Sequence, residues 1–115
     1  MKGKVALHDE QKLIDLGGGV TRRILSYDEN LMSVEVAFET GAAGAEHTHP
    51  HTQCSYVLSG RFSYSVEGEA VELSPGDSIV VPSGLPHGTV CLERACCWIS
   101  SRPCGRISSQ NNKQS

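Results

Sequence analysis

Apolar and polar residues alternate along most of this chain with a period of two. In Met32-Ser33-Val34-Glu35-Val36-Ala37-Phe38, the residues Met32, Val34, Val36 and Phe38 fall on one face, the pattern of a half-buried strand. The same reading predicts strands over 20–27 and 31–39, separated by the turn composition Asp28-Glu29-Asn30. It predicts strands over 53–59 and 61–66 pivoting at Gly60, and another over 70–73 after a hairpin at Glu67-Gly68-Glu69. Ser74-Pro75-Gly76-Asp77 is a turn signal, 78–81 is a short strand ending at Pro82-Ser83-Gly84, and 87–93 begins another. Strands arriving every roughly 8–12 residues, with no long helical period, predict an all-β barrel or sandwich. Residues 1–19 read as irregular, with a helical turn over 10–16 broken by Gly17-Gly18-Gly19. Those glycines read as a flexible entry into the fold and not as a phosphate loop, because no predicted strand precedes them and no helix follows. The barrel is expected over 20–107, and a disordered polar tail (SSQNNKQS) over 108–115.

Composition narrows the class. A chain of 115 residues with 38% hydrophobic and 20% charged residues is one globular domain. Its net charge of −3 comes without a basic face, which argues against a nucleic-acid partner. No apolar run approaches the roughly 18 residues of a membrane span. The opening MKGKVALHDEQK turns polar too soon for a signal peptide, so a cytoplasmic protein is expected. Five cysteines, an odd number without a C-x-x-C pair, read as thiols and not as a disulfide scaffold. Adjacent Cys96 and Cys97 cannot share one inward strand face, so at least one looks outward.

Histidines carry the candidate chemistry. On a strand, His47 and His49 present their imidazoles to the same side. Pro50 interrupts that strand, which places His51 as an exposed rim residue. Gln53 opens the next strand and can face the same interior, and barrel closure can bring His87 alongside. Three imidazoles and one amide oxygen (His47, His49, Gln53, His87) would hold a divalent transition metal with coordination positions to spare. Nickel, zinc, manganese, iron and copper all suit such a set. The plainer alternative is a set of polar groups satisfying a barrel mouth.

The spacing around these residues resembles the two cupin motifs. The first is Gly41, five residues, His47-Thr48-His49, three residues, Gln53, six residues, Gly60, with Gln where the family usually has Glu. The second is Gly76, five residues, Pro82-Ser83-Gly84, two residues, His87, with Cys91 where Asn is common. The resemblance implies a jelly-roll barrel (a double-stranded β-helix) with the metal inside, and a homodimer that covers edge strands and apolar outer faces.

A narrower likeness rests on Gly19-Val20, Arg23-Ile24-Leu25, Glu35-Val36, His47-Thr48-His49-Pro50-His51, Tyr56-Val57-Leu58-Ser59-Gly60-Arg61-Phe62 and Val90-Cys91-Leu92-Glu93. These segments are similar to KdgF-type cupins of pectin and alginate breakdown. That family converts unsaturated monouronates, the products of polyuronate lyases, to linear keto sugars, so a sugar acid is the implied small-molecule partner. Its last strand supplies an Asp for proton transfer, a Phe against the sugar and an Arg for the carboxylate. Ile99, Ser101 and Gly105 stand at those places here, which leaves the catalytic residues unassigned. A back-translation of residues 96–109, with free choice among synonymous codons and read from its third base, gives Leu-Leu-Asp-Ile-Phe-Ser-Pro-Val-Arg-Ala-Asp-Phe-Leu. The tail from about residue 95 therefore reads as a frameshifted family ending, in which Arg102 and Arg106 are solvated and carry no role. Two other readings stand beside the uronate enzyme: a non-catalytic sugar-acid-binding or sensory barrel, and a metal-dependent dioxygenase. Gln53 in place of a carboxylate weighs modestly against the dioxygenase.

Overall fold

A computed structural model describes residues 2–48 and 50–102, with the backbone alone for 45–47. Eight antiparallel strands account for most of these residues: β1 (Ile14–Gly17), β2 (Val20–Tyr27), β3 (Met32–Phe38), β4 (Ala43–His47), β5 (Thr52–Val66), β6 (Glu69–Leu73), β7 (Ser78–Val81) and β8 (His87–Arg102). The fold is all-β, as the alternation predicted. Among the described residues, no helix is long and apolar enough to cross a membrane.

The sheet runs β1-β2-β3-β8-β5-β6, with β4 added to β8 and β7 to β5. The long strands β5 and β8 pair from Thr52↔Arg102 to Val66↔His87. The last residues of β8 pair with β3 and its first residues with β4. Likewise the first half of β5 pairs with β7 and its second half with β6. Each long strand thus passes from one layer of the roll to the other. The passage is marked by register shifts at 57–62, where Gly60 lies at φ +75°.

Gly60 is therefore not a pivot between two strands but a bulge inside one. A Cβ there would lie 2.2 Å from the Arg94 carbonyl oxygen and 2.5 Å from the Ala95 Cβ. The N-terminal expectations also change. The helical turn falls at His8–Glu10, as a short 3₁₀ turn, and residues 14–17 form β1 instead of helix or irregular chain. Segment 14–17 gains a backbone partner in β2, whose pairing outweighs the weak local preference for a helix. Gly18 and Gly19 make the tight turn of that hairpin with φ of +64° and +86°, so the glycine run is a structured turn. The hairpin at Glu67-Gly68 is where the sequence put it, with both residues at positive φ.

Alternation decides what each strand buries. Val34, Val36 and Phe38 of β3 meet Phe62 and Tyr64 of β5 in the core. Phe38 and Phe62 cross edge-to-face with ring centroids 5.0 Å apart, linking the two layers. The stretch read as out of frame pairs as a regular strand through Arg102, with Ala95 and Cys97 buried. Cys97 points in and Cys96 is half-buried on the other face, as their adjacency requires. The supposed tail over 108–115, and with it Cys104, Gly105 and Arg106, lies outside the described residues. Arg102 is exposed.

Candidate functional site

The alternation that fills the core leaves a cavity of about 290 Å³ between the layers. One side is apolar, formed by Val34, Val36 and Phe38 of β3 with Ile99 of β8. The polar lining comes from His51 and Gln53 at the start of β5, His87 and Thr89 at the start of β8, and Arg22 of β2. No carboxylate lines it among the described residues.

His87 is the best-defined group. The segment before it is held by backbone bonds from Leu85 N to Pro82 O (3.4 Å) and from Glu67 N to Pro86 O (2.9 Å). The ring is 3% exposed, and Nδ1 lies 2.9 Å from the Leu85 carbonyl oxygen. A carbonyl only accepts, so Nδ1 carries a proton; in the neutral ring this leaves the lone pair on Nε2, the tautomer a metal-binding histidine needs. Gln53 Nε2 donates to Ser55 Oγ at 3.5 Å, and in that orientation Oε1 is the amide's acceptor atom.

Of the other two expected ligands, His47 ends β4 with its Cα paired opposite that of His87. Its side chain, and His49 altogether, lie outside the described residues. The structure thus brings Gln53 and His87 to one cavity and the backbone of His47 beside them.

His51 differs from expectation. It is 8% exposed and lines the cavity, whereas the sequence placed it on the rim. The break at Pro50 does not turn it outward: β5 begins at Thr52, and His51 just before it shares the inward parity of Gln53. Arg22 and Thr89 also escaped the sequence reading. Their signals were present: Arg22 interrupts the apolar positions Val20 and Ile24 on one face of β2, and Thr89 is two residues from His87.

Tyr64 reaches the cavity from β5 and stays neutral. Its burial first, and the neighbouring Cys97 second, push the phenol far above its usual range, against a hydrogen bond with Ser55. Burial likewise pushes the Cys97 thiol up to about 12, so it acts as a small core residue and not as a nucleophile. The two described positions where the family places its acid and its ring, Ile99 and Ser101, both sit on the cavity wall.

Imidazole and amide oxygen, with no thiolate in the lining among the described residues, are donors that a divalent ion accepts, although no group of three or more His, Cys, Asp or Glu comes together among those residues. The cavity is also large enough for a monosaccharide beside it.

Comparisons with known proteins agree with this architecture. The cupin domain matches residues 34–100. Over 88 residues the chain is 39% identical to the pectin degradation protein KdgF of Dickeya dadantii (strain 3937), covering 76% of this chain and 80% of that protein. The solved structure of KdgF from Halomonas sp. superposes with a TM-score of 0.86 at 34% identity, over 95% of this chain and 98% of that one. An RmlC-like cupin from Shewanella frigidimarina NCIMB 400 gives 0.83 at 35% identity, over 86% and 89%.

Proposed function

The chain belongs to the cupin family, and from that premise we propose that its cavity holds a divalent transition metal and opens unsaturated monouronates to linear keto sugars. The observation that carries this reading is the convergence of Gln53 and His87 on one cavity with an apolar wall, in a chain similar to pectin-degradation proteins. His47, His49, Gln53 and His87 would hold the ion, and when bound it supplies Lewis-acid polarisation of a substrate oxygen.

The remaining steps fall to the chain. The substrate ring carries an enol ether, which must take a proton at carbon and water at the adjacent position before the hemiketal opens. Val34, Val36, Phe38 and Ile99 present an apolar surface to the ring and exclude bulk water from that side. The Leu85 carbonyl keeps the His87 proton on Nδ1. At residue 99, where the family's acid would transfer the proton, Ile99 can neither give nor take one. Turnover by this chain is therefore slow, and its ending is a frameshifted form of an active parent. We place the protein in the cytoplasm and as a homodimer, with the exposed apolar residues Tyr56, Leu58 and Trp98 on the outer sheet face as the surface to be covered.

The test follows the absorbance of the conjugated double bond of unsaturated galacturonate with the metal-loaded protein. Slow loss is expected, and Ile99→Asp should accelerate it by about a hundredfold or more. If neither protein consumes the double bond, the enzymatic reading is wrong. Ile99 on the wall favours a second reading, a barrel that binds sugar acids without turnover, and binding with unchanged absorbance is its mark. Uptake of oxygen with candidate substrates would instead indicate a dioxygenase. Sequencing the gene across codons 90 to the stop tests the frameshift directly.

A further inference from the structure

Two buried side-chain polar atoms among the described residues have no hydrogen-bond partner, Arg22 Nε and Thr89 Oγ1, and both residues line the same cavity. They come from different layers. Arg22 of β2 pairs with Val36 of β3, while Thr89 of β8 pairs with Gly44 of β4 and Tyr64 of β5. Buried polar groups are nearly always satisfied, so two exceptions converging on one space point to a ligand that satisfies them.

Charge says which kind. The Arg22 guanidinium is permanently ionised, no carboxylate among the described residues lines the cavity, and Val34, Val36 and Val20 beside it are apolar. A low-dielectric wall strengthens attraction for an anion there. The neighbouring arginine shows the contrast. Arg23 lies on the outer face of β2, where it meets Glu35 at 3.5 Å and the Gln11 carbonyl at 3.4 Å. Arg23 thus has protein partners, whereas Arg22 Nε has none among the described residues.

We propose that Arg22 binds the carboxylate of the cavity's ligand through its guanidinium fork, with the Thr89 hydroxyl taking another oxygen of the same molecule. The identification of that ligand as a sugar acid rests on the function proposed above; the preference for a carboxylate does not. A planar guanidinium matches a carboxylate with two parallel bonds, which a lysine cannot reproduce. Arg22 would thus do from β2 what the family's last-strand arginine does from the place held here by Gly105.

The test compares D-galacturonate with D-galactose, which differ at one carboxylate, by calorimetric titration of the metal-loaded full chain. The unaltered protein should bind galacturonate at least about tenfold more tightly. Arg22→Gln should remove that preference and leave galactose affinity unchanged. Arg22→Lys, which keeps the charge, should lose about threefold or more for galacturonate alone and decides the matter if Arg22→Gln does not fold. Thr89→Val should weaken galacturonate as well. Equal affinity for both sugars in the unaltered protein, a preference that survives in folded Arg22→Gln or Arg22→Lys, or equal loss of both sugars would overturn the proposal. Carboxylate preference that depends on Arg22 without consumption of unsaturated galacturonate would sink the enzymatic reading alone. Consumption with a KM unaltered by Arg22→Gln would sink this one alone.

Discussion

His8, on the outside of the barrel, has Nδ1 2.9 Å from Asp9 Oδ1 and Nε2 2.8 Å from Glu35 Oε1. Carboxylates only accept, so both contacts are hydrogen bonds when the ring is an imidazolium. The Asp9 bond first, then Glu35, raise the His8 pKa above its ordinary 6.5, while the His8 bond lowers that of Asp9 below 3.8. The sign follows from linkage. The raised His8 contributes fully below its unfolded value and is lost as pH rises through its folded value; the lowered Asp9 is lost as pH falls through its own. Both contributions are therefore complete between the ordinary values of 3.8 and 6.5 and fall away outside that window. An NMR titration should find the His8 midpoint above 6.5, with faster amide exchange near the 3₁₀ turn as that midpoint is passed. A midpoint at or below 6.5 would contradict the ion-pair geometry. At this scale the sequence was a good guide to residue type and a poorer guide to direction. Parity alone puts His51 on the same face as His49 and Gln53; the break at Pro50 suggests the rim instead, and the structure keeps the inward direction despite that break. Arg22 was passed over because two adjacent arginines look alike until a strand assigns them opposite faces.

Among the elements, β5 shows what alternation can and cannot tell. Its two halves were legible at 53–59 and 61–66, but their continuity was not, because a bulge is defined by the partner strand. Gly60 is required twice over, by its positive φ and by the approach of Arg94 and Ala95. Gly60→Ala should therefore cost about 3 kcal/mol or more, read as a fall in the denaturation midpoint, whereas Gly68→Ala should cost less. Gly68 also has positive φ, but a Cβ there meets nothing within 4 Å. Equal losses would mean that the contact with β8 is unimportant. Strand β1 was unreadable because its short, mostly exposed segment owes its shape to an edge offered by β2. Across the outer face, Arg61 of β5 bonds Glu93 of β8 and Glu72 of β6 (2.7 Å), so three strands share one exposed charge cluster next to the bulge.

For the whole molecule, the cavity is a product of closure: no single strand holds more than part of it. Of its polar lining the two sequence motifs anticipated Gln53 and His87, because their spacing follows which strands meet. They said nothing of Arg22 or Thr89, which enter through ordinary alternation. A metal bound only by the folded barrel must stabilise it, by about 2.7 kcal/mol at a hundredfold excess over Kd. Titration with nickel or zinc should raise the Tm of the unaltered protein and leave that of His87→Ala unmoved. A shift of equal size in both would place the ion elsewhere. The central position of β8 has a further consequence, for biosynthesis. It pairs with β3, β4 and β5 and supplies both His87 and the Ile99 wall, yet it follows all three of them along the chain. A nascent chain emerging from the ribosome therefore shows the apolar edges of β3 and β5 to its surroundings until β8 follows. During that interval the chain depends on chaperones or on speed to escape aggregation.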